Sequence, residues 1–282
     1  MKIETLTRKI KSKYNLDWTL GASTLPYPHD PIEGVKKFLE ADIDINRFEI
    51  AIAQPLDDQK KTAEELRRLG QENDLEYSVH TPFLYDDLAQ PHKSVRKVYT
   101  DEGKNAIDLA SEIDGNHVVF HPGRLFFRQT LPDISAFKPL RNSRKSYLES
   151  SLESLTKLSE YAKPRGVKIL VENLPFGLCK SPDDVNYLLS RLDNADFLLD
   201  VGHANISGTL KELLALQPQF FHFSDNDGEN DQHVQLGKGT VDLDLLLKRM
   251  LHYDGDKTII FELYSIDDVV KSLETFERHL KI

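Results

Sequence analysis

Cysteine is almost absent. Cys179 stands alone in the chain, which excludes an internal disulfide and any thiolate-rich cluster, so a metal ion here would have to be held by oxygen and nitrogen ligands. Long apolar runs are missing as well, and no stretch approaches the roughly 18 uninterrupted apolar residues of a membrane span. The early basic residues Lys2, Arg8, Lys9, Lys11 and Lys13 are not followed by an apolar segment with a small-residue cleavage site. No membrane association and a cytoplasmic location are therefore expected. Positive charge is in the minority: 36 basic residues face 46 acidic ones, a net charge of −10 with histidine neutral. Such a surface offers no broad attraction to a polyanion, so nucleic acid is a disfavoured partner, although a local basic groove stays open. The turn Gly21-Ala22-Ser23-Thr24 lacks the G-x-G-x-x-G spacing of a dinucleotide-binding loop.

What the sequence does contain is alternation. Runs rich in β-branched and aromatic residues recur over 17–23, 43–50, 75–80, 117–121, 167–172, 196–200, 219–224 and 258–262, and read as strands. Helical periodicity fills the intervals, at 31–41, 62–73, 95–113, 146–162, 183–191 and 241–251, and a closing helix is predicted over 266–280. Eight βα units with no antiparallel hairpin fit a single parallel (β/α)8 TIM barrel of class α/β better than a doubly wound sheet. The 282 residues are assigned to one domain, with 1–16 as an N-terminal extension. The long irregular stretch at about 122–143, carrying Arg124, Phe126, Phe127 and Arg128, is expected to act as a lid over the catalytic face. Apolar residues on outer helix faces would allow a homo-oligomer.

Barrel enzymes build their sites where strands end. The third strand ends in His80 and the fourth in His121; the fifth delivers Glu172-Asn173, the sixth Asp200-Val201-Gly202-His203, the seventh His222 and then Asp231-Gln232-His233, and the eighth Glu262. One such residue alone is usually a loop anchor or a solvated group. Six consecutive strands agreeing is another matter, because Glu172, Asp200 and Glu262 around one axis repel each other unless a cation lies between them. Glu172, Asp200, His222 and Glu262 make an oxygen-rich site for Mn²⁺, Mg²⁺ or Zn²⁺. His80 and His121, with Glu172 as a bridge, form a second and more nitrogen-rich set that favours Zn²⁺. His203, Asp231 and His233 form a third, with binding of substrate hydroxyls by the two histidines an equal alternative.

These segments, from Val79-His80-Thr81-Pro82-Phe83 through His121-Pro122-Gly123, Val171-Glu172-Asn173, Leu199-Asp200-Val201-Gly202-His203, His222-Phe223-Ser224-Asp225, Asp231-Gln232-His233, Leu236-Gly237-Lys238-Gly239 and Phe261-Glu262, resemble the xylose isomerase-like barrel superfamily. That superfamily unites sugar and sugar phosphate isomerases and epimerases with the endonuclease IV group, AP endonuclease family 2. The nuclease resemblance implies up to three zinc ions on His80, His121, Glu172, Asp200, His203, His222, Asp231, His233 and Glu262, and cleavage of abasic DNA. The sugar-enzyme resemblance implies one divalent metal on Glu172, Asp200, His222 and Glu262, with His203 touching substrate. Three departures from the nuclease pattern favour the sugar branch: the bulky Leu174-Pro175-Phe176-Gly177 after Asn173, the run Ser224-Asp225-Asn226-Asp227-Gly228, and Asp86 and Asp87 where a phosphate backbone would approach.

The expected chemistry is isomerisation or epimerisation of a small sugar through an enediolate, with Glu172 and Glu262 as the catalytic acid-base pair. Lys238 is a candidate for a substrate phosphate and Arg124 for an anion at the lid. Glu49, at the end of the second strand, is a candidate to bind a sugar hydroxyl or to orient a neighbouring group, with a salt-bridged place at the rim of the core an equal alternative.

Overall fold

The computed structural model describes residues 10, 12–15, 17–41, 43, 45–84, 86–124 and 144–280. Eight parallel strands close into a barrel in sequence order: β1 (Trp18–Ser23), β2 (Arg47–Ala51), β3 (Glu76–His80), β4 (His117–Phe120), β5 (Lys168–Glu172), β6 (Ala195–Asp200), β7 (Phe220–Phe223) and β8 (Lys257–Phe261). Pairing of β1 with β8, from Trp18 opposite Lys257 to Ala22 opposite Phe261, shuts the ring. Outside it run α1 (Pro31–Glu40), α2 (Gln59–Asn73), α3 (Lys93–Glu112), α4 (Arg144–Ala162), α5 (Pro182–Leu189), α6 (Val201–Ser207), α7 (Leu210–Leu214), α8 (Leu243–Met250) and α9 (Ile266–His279). Aspartates start several of them: Asp30, Asp58 and Asp242 each accept a backbone N–H three residues on, satisfying a donor that the first turn leaves free.

The expected barrel is therefore present. Its second strand is shorter than the apolar pattern predicts, starting at Arg47 rather than 43. Ile45 bonds back to the carbonyl of Ile43 in a tight turn, so both isoleucines pack against the core without joining the ladder. Between β6 and β7 the chain makes two short helices, split by Gly208 at φ 67, a left-handed stop that glycine adopts without strain. Most of the expected lid, 125–143, and nearly all of the 1–16 extension lie outside the described residues. No described helix is long and apolar enough to cross a membrane.

Strand alternation is what positions the site. Outward residues such as Ile169, Val171, Leu199, Phe221, Ile259 and Phe261 join the helices in one large core. Inward, Val119, Leu170 and Leu198 form a separate apolar plug against which Phe220 packs. With side chains repeating every second residue, the next inward positions along the same strands are His121, Glu172, Asp200 and His222. The plug thus seals the barrel beneath a layer of acids and imidazoles, each buried apolar side chain contributing about 1.5–3 kcal/mol.

Candidate metal centre

All nine residues singled out at strand ends meet in one connected cluster. Glu172, wholly buried on β5, is the hub. Its Oε2 lies 3.2 Å from His80 Nε2 and 3.2 Å from His121 Nε2, while its Oε1 lies 3.3 Å from His203 Nδ1 and 3.5 Å from His222 Nδ1. His222 Nδ1 is 3.2 Å from Glu262 Oε2 and 3.9 Å from Asp200 Oδ2. Asp231 holds the remaining pair, Oδ2 at 3.2 Å from His203 Nε2 and Oδ1 at 3.3 Å from His233 Nε2. Among the described residues four groups emerge whose ligand atoms lie within 4.8 Å of one another: Glu172, Asp200, His222 and Glu262; His80, His121 and Glu172; His203, Asp231 and His233; and His80, His222 and Glu262, which overlaps the first two.

Three of the imidazoles are oriented by a backbone carbonyl, and His203 keeps its Nδ1 near Glu172 as well. The Nδ1 atoms of His80, His203 and His233 lie 2.9, 2.8 and 2.9 Å from the carbonyls of Thr81, Asn173 and Glu262. A carbonyl can only accept, so Nδ1 carries the proton and Nε2 is the free donor atom facing the acids. His121 and His222 face carboxylates instead, as close charge contacts without hydrogen-bond geometry: Asp86 Oδ2 lies 3.0 Å from His121 Nδ1 and Glu49 Oε1 lies 3.0 Å from His222 Nε2. His233 adopts φ 44, in the left-handed region, which is costly for a non-glycine residue and typical of functional positions.

The carboxylates are prepared in the same way. Asp200 caps α6, its Oδ1 accepting the His203 N–H at 2.5 Å, which leaves Oδ2 turned inward. Asn173 clamps it further, accepting the Asp200 N–H at 2.8 Å and donating to its carbonyl at 3.0 Å. Glu172 Oε1, Asp200 Oδ2 and His222 Nδ1 are all buried and none makes a hydrogen bond with a described residue. Buried polar atoms are rarely left so, and these three, together with a carboxylate oxygen of Glu262, converge closely enough to fit a divalent cation.

Electrostatics describe the same demand. Burial pushes the Asp200 carboxyl up, and the charges of Glu172 and Glu262 add to it, giving a pKa of about 6. Burial would also raise Glu172, but the charges of His222 and His121 hold it well below the usual range. Glu262 is lowered to about 2, the same imidazole of His222 and that of His233 outweighing burial. On the imidazoles burial acts in the opposite direction; yet Asp86 and Glu172 raise His121 to about 10, and Asp231 and Glu262 raise His233 to about 9. In the absence of a cation, protons on histidine balance the acids.

The remaining candidates fall in different places. Glu49 is buried within β2, its Oε1 3.0 Å from His222 Nε2. Arg124 stands at the rim, donating to the carbonyl of Phe83 at 3.0 Å and lying 4.0 Å from Asp86. Lys238 does not join the cluster: it is exposed and lines a separate surface cavity of about 490 Å³ with Asp227, Gln232, Gln235, Thr240 and Asp268. The cause is Asp225, buried, whose carboxylate accepts the N–H groups of Gly237, Gly239 and Val241 and fixes the turn that carries Lys238. Sequence reasoning missed Asp86 as a histidine partner and Asp225 as the loop anchor; for Asp225, the glycines flanking Lys238 were the available signal.

Residues 39–279 match the model of a family described as the xylose isomerase-like TIM barrel. The chain belongs to that family. Similar proteins include the uncharacterized protein MJ1311 of Methanocaldococcus jannaschii, 28% identical, with all of this chain and 96% of the relative covered. Among solved structures, a D-tagatose 3-epimerase-like protein superposes with a TM-score of 0.78 at 26% identity, over 93% of this chain and 97% of the other. A Thermus thermophilus protein soaked with zinc chloride shares the fold at a TM-score of 0.68 and 23% identity, over 93% and 98%. Structural neighbours of this family member thus include sugar epimerases and isomerases.

Proposed function

We propose that this chain is a divalent-metal-dependent isomerase or epimerase of a small sugar, with Glu172 and Glu262 as its acid-base pair. The observation that carries this reading is the convergence of Glu172 Oε1, Asp200 Oδ2 and His222 Nδ1, buried and without hydrogen bonds to described residues, beside Glu262. These four residues would hold the ion. A divalent cation bound there supplies Lewis-acid polarisation of a substrate carbonyl and its neighbouring hydroxyl. Glu172 and Glu262 come from strands three apart around the ring, and both approach His222 Nδ1, at 3.5 and 3.2 Å. From those positions one carboxylate takes the proton from the carbon between carbonyl and hydroxyl. For epimerisation the other carboxyl, which must start protonated, gives its own proton to the opposite face, so the two groups end with their protonation exchanged; for isomerisation the proton taken is delivered to the adjacent carbon while the hydroxyl proton passes to the former carbonyl oxygen. His203, steadied by Asn173, contacts a substrate oxygen, and the apolar plug keeps water from reaching the pair from below. The 26% identity to a D-tagatose 3-epimerase-like protein supports a sugar as substrate.

One observation favours a second reading. The His80–His121–Glu172 and His203–Asp231–His233 groups complete a contiguous set for three ions, as a zinc phosphodiesterase acting on abasic DNA would need. A single assay separates the two. A panel of ketoses in deuterium oxide, with the metal-loaded protein, is expected to show deuterium entering the carbon next to the carbonyl together with a new sugar. Cleavage of abasic duplex DNA without such exchange would replace this reading with the second.

A further inference from the structure

Asp86 carries a carboxylate with both oxygens buried. Its side chain is only 10% exposed, and neither of its oxygens makes a hydrogen bond with a described residue. Arg124 stops 4.0 Å away, its guanidinium already bonded to the carbonyl of Phe83. The close contact Asp86 does make is with His121 Nδ1, at 3.0 Å. His80, in the same group, is backed only by the Thr81 carbonyl, and the outer nitrogens of His203 and His233 also meet carbonyls. The full negative charge of a carboxylate 3.0 Å behind an imidazole makes the inner nitrogen a stronger ligand than a neutral carbonyl does, even where the contact lacks hydrogen-bond geometry. The only other such pair among the five is Glu49 behind His222. The two groups that share Glu172 therefore each hold one reinforced histidine, and the Asp231 group holds none.

Sharing has a chemical consequence. The Oε1 of Glu172 faces His222 and the four-residue group, whereas Oε2 faces His80 and His121. An ion on His80 and His121 would occupy the oxygen that is left for proton transfer once Oε1 is a ligand. We infer that Asp86 is a positioning residue that sets the affinity of a second, inhibitory ion at His80 and His121, an ion that withdraws Glu172 from acid-base chemistry. This rests on the reading of Glu172 as a base.

The test uses full-length protein carrying one Mn²⁺, titrated with Zn²⁺ alone. Second-ion affinity is read by chelator competition, and ketose deuterium exchange is followed in the same samples. Exchange is expected to fall in step with second-ion occupancy. In Asp86→Asn, and independently in Asp86→Ala, the second ion should bind about 10- to 100-fold more weakly while the first ion's affinity stays unchanged. Inhibition should shift to correspondingly higher zinc. A merely structural role would weaken both ions together. Unaltered second-ion binding in both variants, or exchange that persists or rises when the second ion is bound, overturns the inference. Absence of exchange in every loading state would count against the isomerase reading itself, and the binding arm would still decide the role of Asp86.

Discussion

Replacing Glu172 with glutamine keeps its shape and removes its charge at the most enclosed point of the cluster. In the metal-free protein that carboxylate balances His80, His121, His203 and His222, all within 3.5 Å. Taking away one partner of a buried charged group costs about 3–5 kcal/mol, because the others are left uncompensated. At about 2–4 °C per kcal/mol for a chain of roughly this size, the unfolding midpoint of metal-free Glu172→Gln should drop by about 6 to 20 °C. Added metal should restore less stability than in the wild type, since a shared ligand is gone, and turnover should be lost. Differential scanning calorimetry with and without a chelator measures the first two effects, and the ketose exchange assay the third. A variant with unaltered midpoints in both states and full exchange would refute the hub role of Glu172.

Other expectations follow from the same geometry. Glu262→Gln should keep a bound ion through Glu172, Asp200 and His222 yet lose at least 100-fold in turnover, about the contribution of a positioned acid or base; metal content measured beside rate tells this apart from simple metal loss. The folded-state pKa values of His121 and His233, about 10 and about 9, lie above the ordinary 6.5. Their stabilisation of the metal-free protein is thus complete below about pH 6.5 and lost as pH rises through 9 to 10. Ion binding to their groups must expel those protons, so affinity should instead grow over that window, with proton release visible by titration calorimetry in buffers of different ionisation heat. Gly239→Ala should destabilise the loop severely, because a Cβ there would run into Asn226 O and Asp225 Oδ1; hydrogen exchange around 225–241 would report it, and protection equal to the wild type would count against the anchor role of Asp225.

The barrel was legible because β-strand alternation and helical periodicity are local signals. The inward parity of Val119, Leu170, Leu198 and Phe220 leads directly to His121, Glu172, Asp200 and His222 two residues on, so the ligand layer could be read from strand ends. What stayed hidden depends on loops. Asp86 meets His121 only because the chain after β3 folds back over β4, and nothing in its spacing announces that contact. Glu49 was expected at a strand end; it lies mid-strand in β2, and its partner could not be assigned until barrel closure set it beside His222. Lys238 looked available for a substrate phosphate, and the turn built on Asp225 carries it to another cavity.

The most direct measurement is a crystal structure of the protein loaded with Mn²⁺, with the ion located by anomalous scattering and its content per chain determined by mass spectrometry. The account predicts at least one ion per chain, ligated by Glu172, Asp200, His222 and Glu262. Protein that takes up no divalent ion, or an ion bound elsewhere while these four side chains stand apart, would contradict it.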